Sequence, residues 1–174
     1  MATNAHYSVD ALASFAASLL LAAGMDDEKA HTVARLLILT DMMGRRTHGL
    51  AIVPLYIDDI RKGAMQVTGR PEAVRDTGAT MLWDGAYLPG LWLVNRAIDA
   101  AIARVAGFGV VTVSIRREER NRTLVAWPAP DRATYAARSL NGVYVRVPAL
   151  CRASRRNATR VRPAYPGSRP ARVP

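Results

Sequence analysis

Several side chains with reactive or charged groups stand together in one stretch of the sequence, Asp41-Met42-Met43-Gly44-Arg45-Arg46-Thr47-His48-Gly49-Leu50. A hydroxyl at Thr47 and two guanidinium groups come just before His48. Imidazole gains and loses a proton near neutral pH, which suits histidine to general acid–base chemistry. From spacing alone, a capped helix carrying a solvated or packed histidine explains the same residues, because motifs built on one residue are weak.

Other parts of the sequence are weaker candidates for chemistry. Gly107 and Gly109 follow a predicted helix and precede a predicted strand, whereas a dinucleotide-binding fingerprint follows a strand and opens a helix. Three histidines and the single, distant Cys151 form no metal-ligand pattern. We expect the other histidines at the surface and two tryptophans in the core: His6, His31, Trp83 and Trp92.

Three helical segments are predicted before the first strand. Ser8 is placed to cap a helix that stops at Gly24, and Asp26 or Asp27 opens the second. The apolar face of the second helix is predicted to hold Ala30, Val33, Leu37 and Thr40.

Thr47 is the predicted cap of the third helical stretch, which runs to Gly63. Pro54 interrupts this stretch. Because proline has no amide hydrogen, it either kinks the helix or begins a new one.

The hydrophobic period changes after Gly69-Arg70-Pro71. Residues 72–76 and 80–83 predict short strands around a turn, and a buried strand is predicted over residues 110–115. Between them, a helix from about Leu91 to Val105 is predicted, with an apolar face of Ala97, Ile98, Ala101, Ile102 and Val105. This order of elements predicts the start of an α/β domain, consistent up to Arg117.

The basic charge of the chain is concentrated in its last third. Residues 1–117 hold 12 Lys and Arg against 11 Asp and Glu, whereas residues 118–174 hold 12 Arg against 3 acids and contain no Lys. Arg, Ala and Pro make up 12, 10 and 7 of those last 57 residues. Such a composition predicts a largely irregular, basic C-terminal tail, although residues 144–148 alternate like a strand.

The chain resembles the type-2 malate/L-lactate dehydrogenases, which include ureidoglycolate and sulfolactate dehydrogenases, over about residues 8–117. The resemblance rests on an ordered set of motifs: D-x-x-G-x-x-[S/T]-H-G-L at 41–50, Pro54, Tyr56, the glycines and proline of 63–71, Trp83-Asp84-Gly85, Pro89-Gly90 and Gly107-Phe108-Gly109-Val110-Val111. It implies the N-terminal part of a non-Rossmann α/β fold, in a family that forms homodimers.

The resemblance also implies an activity. Members transfer hydride between NAD or NADP and a small 2-hydroxy or 2-oxo carboxylate. His48 and Thr47 would stand at the catalytic positions, with His48 exchanging a proton with the substrate oxygen. Arg46 and Tyr56 are the expected substrate-binding residues. Arg45 or Arg46 would substitute for an arginine that members often carry after the histidine, although a solvated surface charge also explains each of them. The resemblance assigns no cofactor-binding residue here, and no metal is expected.

Two departures from the family pattern affect these expectations. Members often carry an arginine four residues after the histidine, where this chain has Ile52. Members also continue after the strand with a serine-histidine-glycine type segment, where this chain has Glu118-Glu119-Arg120-Asn121-Arg122. We therefore expect the chain as it stands to be truncated and inactive.

Three interpretations stay open from the sequence. The chain is an oxidoreductase by descent, a basic interaction protein that binds polyanions through residues 118–174, or a product whose reading frame changes near residue 117. The boundary between a partial dehydrogenase-like domain and the tail is placed at residues 117 and 118. A single cysteine and the lack of an export signal or a long apolar run predict a cytoplasmic protein without a membrane partner.

Overall fold

The fold was analysed in a computed structural model, which describes residues 7–119, 135–139 and 142–148. In chain order the described elements are α1 (Val9–Ala22), α2 (Asp27–Met42), two 3₁₀ turns (Arg46–His48 and Leu50–Ile52), α3 (Val53–Arg61), β1 (Glu72–Asp76), β2 (Thr80–Asp84), α4 (Gly90–Phe108), β3 (Val110–Arg116), β4 (Tyr135–Ser139) and β5 (Gly142–Pro148).

The first two helices begin at the residues that the sequence predicted. The Ser8 hydroxyl accepts a hydrogen bond from Ala11 N at 3.5 Å, and the Asp26 carboxylate accepts one from Lys29 N at 3.0 Å. Each side chain satisfies an amide that lacks an intrahelical partner. Gly24 then turns the chain with a φ of +102°, a left-handed conformation that glycine adopts without steric cost. The predicted bounds of α1 and the start of α2 are confirmed.

The third helical stretch differs from its prediction. Thr47 does not cap it: Thr47 lies inside the first 3₁₀ turn, and its hydroxyl contacts the His48 ring instead of a backbone amide. Of the two alternatives predicted at Pro54, a new helix is confirmed and a kinked one is wrong, because α3 begins at Val53. Pro54 occupies the first turn of α3, where no amide hydrogen is needed, so the proline begins a new helix.

A five-stranded mixed sheet has the strand order β1-β2-β3-β5-β4. The predicted hairpin of β1 and β2 is antiparallel, and Thr77 N donates to Thr80 O at 2.9 Å across its turn. Strands β2 and β3 are parallel, with Trp83 opposite Ile115, so α4 is the crossover between them. Strand β5 pairs antiparallel with both β3 and β4.

Two short segments of the tail are strands, which the prediction of a largely irregular tail allows. Strands β4 and β5 belong to it, and the alternation at residues 144–148 falls within β5. Strand β5 pairs with β3 and β4 pairs with β5, and composition alone does not reveal such long-range pairing. The rest of the tail prediction falls on residues 120–134, 140–141 and 149–174, which lie outside the described residues.

One hydrophobic core joins the helices to β2 and β3. All four residues predicted for the inner face of α2 are buried: Ala30, Val33, Leu37 and Thr40. On α4 the predicted face is correct except at Ile102, which is 44% exposed. The buried face of α4 is centred on Ala97 and Ala101, and Ile102 lies beside it. Trp92 is buried as predicted, and Trp83 is partly buried against the core.

Candidate active site

The connection between α2 and α3 holds the candidate histidine in a short, hydrogen-bonded turn. Arg45 N donates to Thr40 O at 3.2 Å, and His48 N donates to Arg45 O at 2.9 Å. These bonds tie the first 3₁₀ turn to the end of α2. The backbone that carries His48 is therefore fixed at its start by the helix before it.

The Asp41 side chain fixes the same turn at its end. Its Oδ2 accepts a hydrogen bond from Leu50 N at 2.8 Å, across nine residues of chain. Gly49 packs so closely against this carboxylate that a Cβ atom there would lie 1.9 Å from Asp41 Oδ1. The aspartate and the second glycine of the motif thus depend on each other, a relation that the sequence analysis did not foresee.

The Thr47 hydroxyl lies 2.9 Å from His48 Nδ1, and both side chains are exposed. A hydroxyl can either donate to an unprotonated ring nitrogen or accept from a protonated one. When Nδ1–H donates to Thr47, Nε2 is free to take up a proton, and the same bond persists in the imidazolium. The Thr47 contact is at Nδ1, so it does not engage Nε2.

The two predicted substrate-binding residues, Arg46 and Tyr56, differ in their exposure to solvent. Arg46 lies in the same 3₁₀ turn as His48 and is exposed. Tyr56 is 0% exposed and belongs to the hydrophobic core, so its ring does not share the exposed surface of the turn. Ile52 packs against the core and provides no charge for a substrate carboxylate.

The carboxyl ends of the parallel strands β2 and β3 form a second charged cluster. Asp84 is buried and accepts hydrogen bonds from Arg117 Nε at 2.8 Å and from Arg116 Nε at 3.0 Å. The Arg117 hydrogen bond lowers the pKa of Asp84 to about 2, and the Ala86 amide and Arg116 act in the same direction. Asp84 therefore stays ionised and joins the two strand ends.

Strand β2, the turn after it and α4 form a strand–turn–helix unit. The amides at the start of such a helix are a typical binding site for a dinucleotide phosphate. The start of α4 is already occupied, since Gly90 N donates to Glu119 O at 2.7 Å, and Leu91 and Trp92 are buried. A phosphate does not fit this helix end in the described conformation.

Among residues 7–119, 135–139 and 142–148, no group of histidine, cysteine and acidic side chains could hold a metal ion. Within the same ranges, no helix is long and apolar enough to cross a membrane.

The candidate histidine lies in a segment that is similar to known proteins. A family model described as malate/L-lactate dehydrogenase matches residues 7–136. The chain belongs to the malate/L-lactate dehydrogenase family. The match continues beyond Arg117, where the recognisable motifs end, and includes the start of β4.

Individual members of the family agree with this assignment. The chain is 31% identical to a malate dehydrogenase structure from Entamoeba histolytica, with a TM-score of 0.63 over 67% of this chain and 32% of that chain. It is 33% identical over 106 residues to the malate dehydrogenase of Pyrococcus abyssi. It is 22% identical over 127 residues to hydroxycarboxylate dehydrogenase B of Escherichia coli (strain K12), covering 73% of this chain and 35% of that protein. The chain spans about a third of the length of these curated relatives.

Proposed function

We propose that this chain carries the proton-exchanging part of an NAD(P)-dependent oxidoreductase that interconverts 2-hydroxy and 2-oxo carboxylates. One observation supports this proposal above the others. His48 is exposed on a turn that Asp41 closes, and the Thr47 hydroxyl engages its Nδ1. The turn lies within the segment that matches the malate/L-lactate dehydrogenase family.

In the direction of alcohol oxidation, His48 Nε2 takes the proton from the 2-hydroxyl as the carbon loses its hydride. In the reverse direction it returns that proton to the oxygen of the 2-oxo group. The Thr47 hydroxyl orients the ring and accepts a bond from Nδ1–H while Nε2 gains and loses its proton. When bound, the nicotinamide accepts or supplies the hydride.

The substrate carboxylate is assigned to Arg46, because this exposed guanidinium lies in the same 3₁₀ turn as His48. Guanidinium groups bind carboxylates through two parallel hydrogen bonds. Since Tyr56 is buried, we assign it to the support of α3 beneath the turn and not to direct substrate contact.

The helix end at Gly90, where a cofactor phosphate would be sought, is occupied, because Gly90 N donates to Glu119 O. The chain also spans about a third of its relatives. We therefore propose that the 174-residue chain by itself neither retains NADH or NADPH nor reduces 2-oxo acids. Fluorescence titration of both cofactors checks this. The homodimer and the cytoplasmic location remain predictions.

Proton NMR of the full chain, with the non-reactive 2-oxo acid analogue oxamate, tests the substrate class. Three histidines give few imidazole resonances, and His48→Gln identifies the one of interest. We expect oxamate to shift the His48 resonance in a saturable way, and Arg46→Ala to weaken that effect. His31→Gln is the matched control, because His31 is exposed on α2. An unshifted His48 resonance at saturating oxamate contradicts the proposal.

A further inference from the structure

A basic cleft of about 270 Å³ lies away from the histidine turn, where the edge of the sheet meets α4. Three guanidinium groups line it: Arg70 comes just before β1, and Arg96 and Arg104 both belong to α4. Residues eight apart lie on similar faces of a helix, two turns from each other, so the two helical arginines border the same cleft. Met81 and Trp83, on one face of β2, also line the cleft, together with Pro71, Ala73 and Asp76.

Carboxylates neutralise this cleft only in part. Asp76 lines it and pairs with Arg104 at 2.6 Å, and this hydrogen bond lowers the pKa of Asp76 to about 2. Glu28 lies 3.8 Å from Arg96 in a long and exposed pair, which contributes little.

Arg70 is exposed and forms no ion pair with any described residue. Arg96 also lies over the Trp92 ring, 5.8 Å from its centroid, a contact that does not use its N–H donors. Arg70 and Arg96 therefore have donors for an anion, while Arg104 is held by Asp76 as part of the wall.

We propose that this cleft binds a small phosphomonoester that carries a planar ring, the chemical class of the nucleoside monophosphates. Arg70 and Arg96 suit the phosphate, because guanidinium forms paired hydrogen bonds to phosphate oxygens. Trp83, only partly buried, offers an aromatic surface on which a flat ring stacks. The volume of the cleft, about 270 Å³, suits a small ligand.

Isothermal titration of the full chain with AMP tests the proposal, with inorganic phosphate and adenosine as separate probes. We expect AMP to bind more tightly than either probe, because each probe makes half of the contacts. Arg70→Ala and Arg96→Ala should each weaken AMP binding by about tenfold, the loss expected when one guanidinium–phosphate pair is removed. Trp83→Leu should remove the preference for AMP over inorganic phosphate.

Arg75→Ala is the matched control. Arg75 lies on β1 opposite Leu82, whereas Asp76 lies opposite Met81, so the Arg75 side chain is on the other face of the sheet. This variant removes the same charge and should leave AMP affinity unchanged. The proposal is overturned if AMP does not bind, or if Arg75→Ala weakens binding as much as Arg70→Ala. The second result would assign the binding to net charge, most of which lies in residues 118–174.

Discussion

At the scale of single residues, the candidate site depends on contacts across the turn between α2 and α3. The proximity of Thr47 and His48 is evident from the sequence, and the structure adds the bond between hydroxyl and ring. The contact of Asp41 with Gly49 and Leu50 was not predictable, because it forms only when the intervening residues fold into a 3₁₀ turn. Gly49 has a φ of −96°, which other residues also adopt, so its backbone conformation does not require glycine. The lack of space beside Asp41 requires it, and the sequence does not indicate that contact.

The contact between Asp41 and Gly49 predicts strong coupling between two substitutions. Gly49→Ala places a methyl group on the Asp41 carboxylate and should destabilise the chain by about 1–3 kcal/mol, a typical cost of overpacking. Asp41→Ala loses the bond to Leu50 N but removes the obstacle, so the double variant should lose less than the sum of the single losses. Urea unfolding of the four proteins measures the coupling.

Gly107→Ala provides the control for the glycine substitution. Gly107 lies in α4 with nothing within 4 Å of an added Cβ, so alanine there should be neutral or stabilise the chain by about 0.5–1 kcal/mol. Additive losses for Asp41→Ala and Gly49→Ala would show that the two residues do not constrain each other.

At the scale of elements, the hairpin, α4 and β3 follow from hydrophobic period and turn residues, and their predicted bounds are close to those observed. The parallel pairing of β2 with β3 and the ion pairs of Asp84 were not predictable, because they depend on which strands become neighbours. The same limit applies to the pairing of β4 and β5: the alternation at residues 144–148 indicated part of β5 but neither of its neighbours in the sheet.

The Asp84 cluster predicts a specific response to acid. The pKa of Asp84 is lowered in the folded chain. The contribution of Asp84 to stability is therefore complete above the ordinary carboxyl pKa near 4 and is lost as the pH falls toward about 2. Asp84→Asn should therefore lower stability at neutral pH and flatten the loss of stability between pH 4 and 2. The Asp84→Asn chain should still lose some stability in this pH range, because the pKa of Asp76 is also lowered to about 2. Urea unfolding across this pH range measures both effects.

Asp99→Asn is the comparison for Asp84→Asn, since Asp99 is an exposed carboxylate on α4. It should leave the acid dependence of stability nearly as in the parent chain. An Asp84→Asn chain with the parent's stability at neutral pH and the parent's acid profile would contradict the assigned role of the cluster.

At the scale of the whole molecule, charge divides the chain into an almost neutral part, residues 1–117, and a strongly basic part, residues 118–174. The family match crosses this division and reaches residue 136, so charge and similarity do not share a boundary. The alternative of a basic interaction protein rests on charge alone.

The basic part predicts polyanion binding as a chemical property. Binding of heparin or mixed-sequence DNA to the full chain should weaken steeply with salt, because arginines release counterions from phosphates or sulfates. Replacing five arginines by glutamine should reduce the slope of log affinity against log salt: Arg152, Arg155, Arg156, Arg160 and Arg162. Fluorescence anisotropy at several salt concentrations measures the slope. Salt-insensitive, sequence-specific binding would favour the interaction protein over the enzyme.

We propose that His48 exchanges the proton in an NAD(P)-dependent reaction of 2-hydroxy acids. This role is measured by turnover in a chimera, in which residues 7–117 replace the matching segment of the Entamoeba histolytica malate dehydrogenase. We predict that the chimera oxidises malate, and that His48→Gln lowers kcat by about 10²- to 10⁴-fold while NADH binding is retained. His31→Gln should leave kcat unchanged. Equal turnover with and without His48, or a folded chimera that binds NADH but does not turn over, would contradict the proposal.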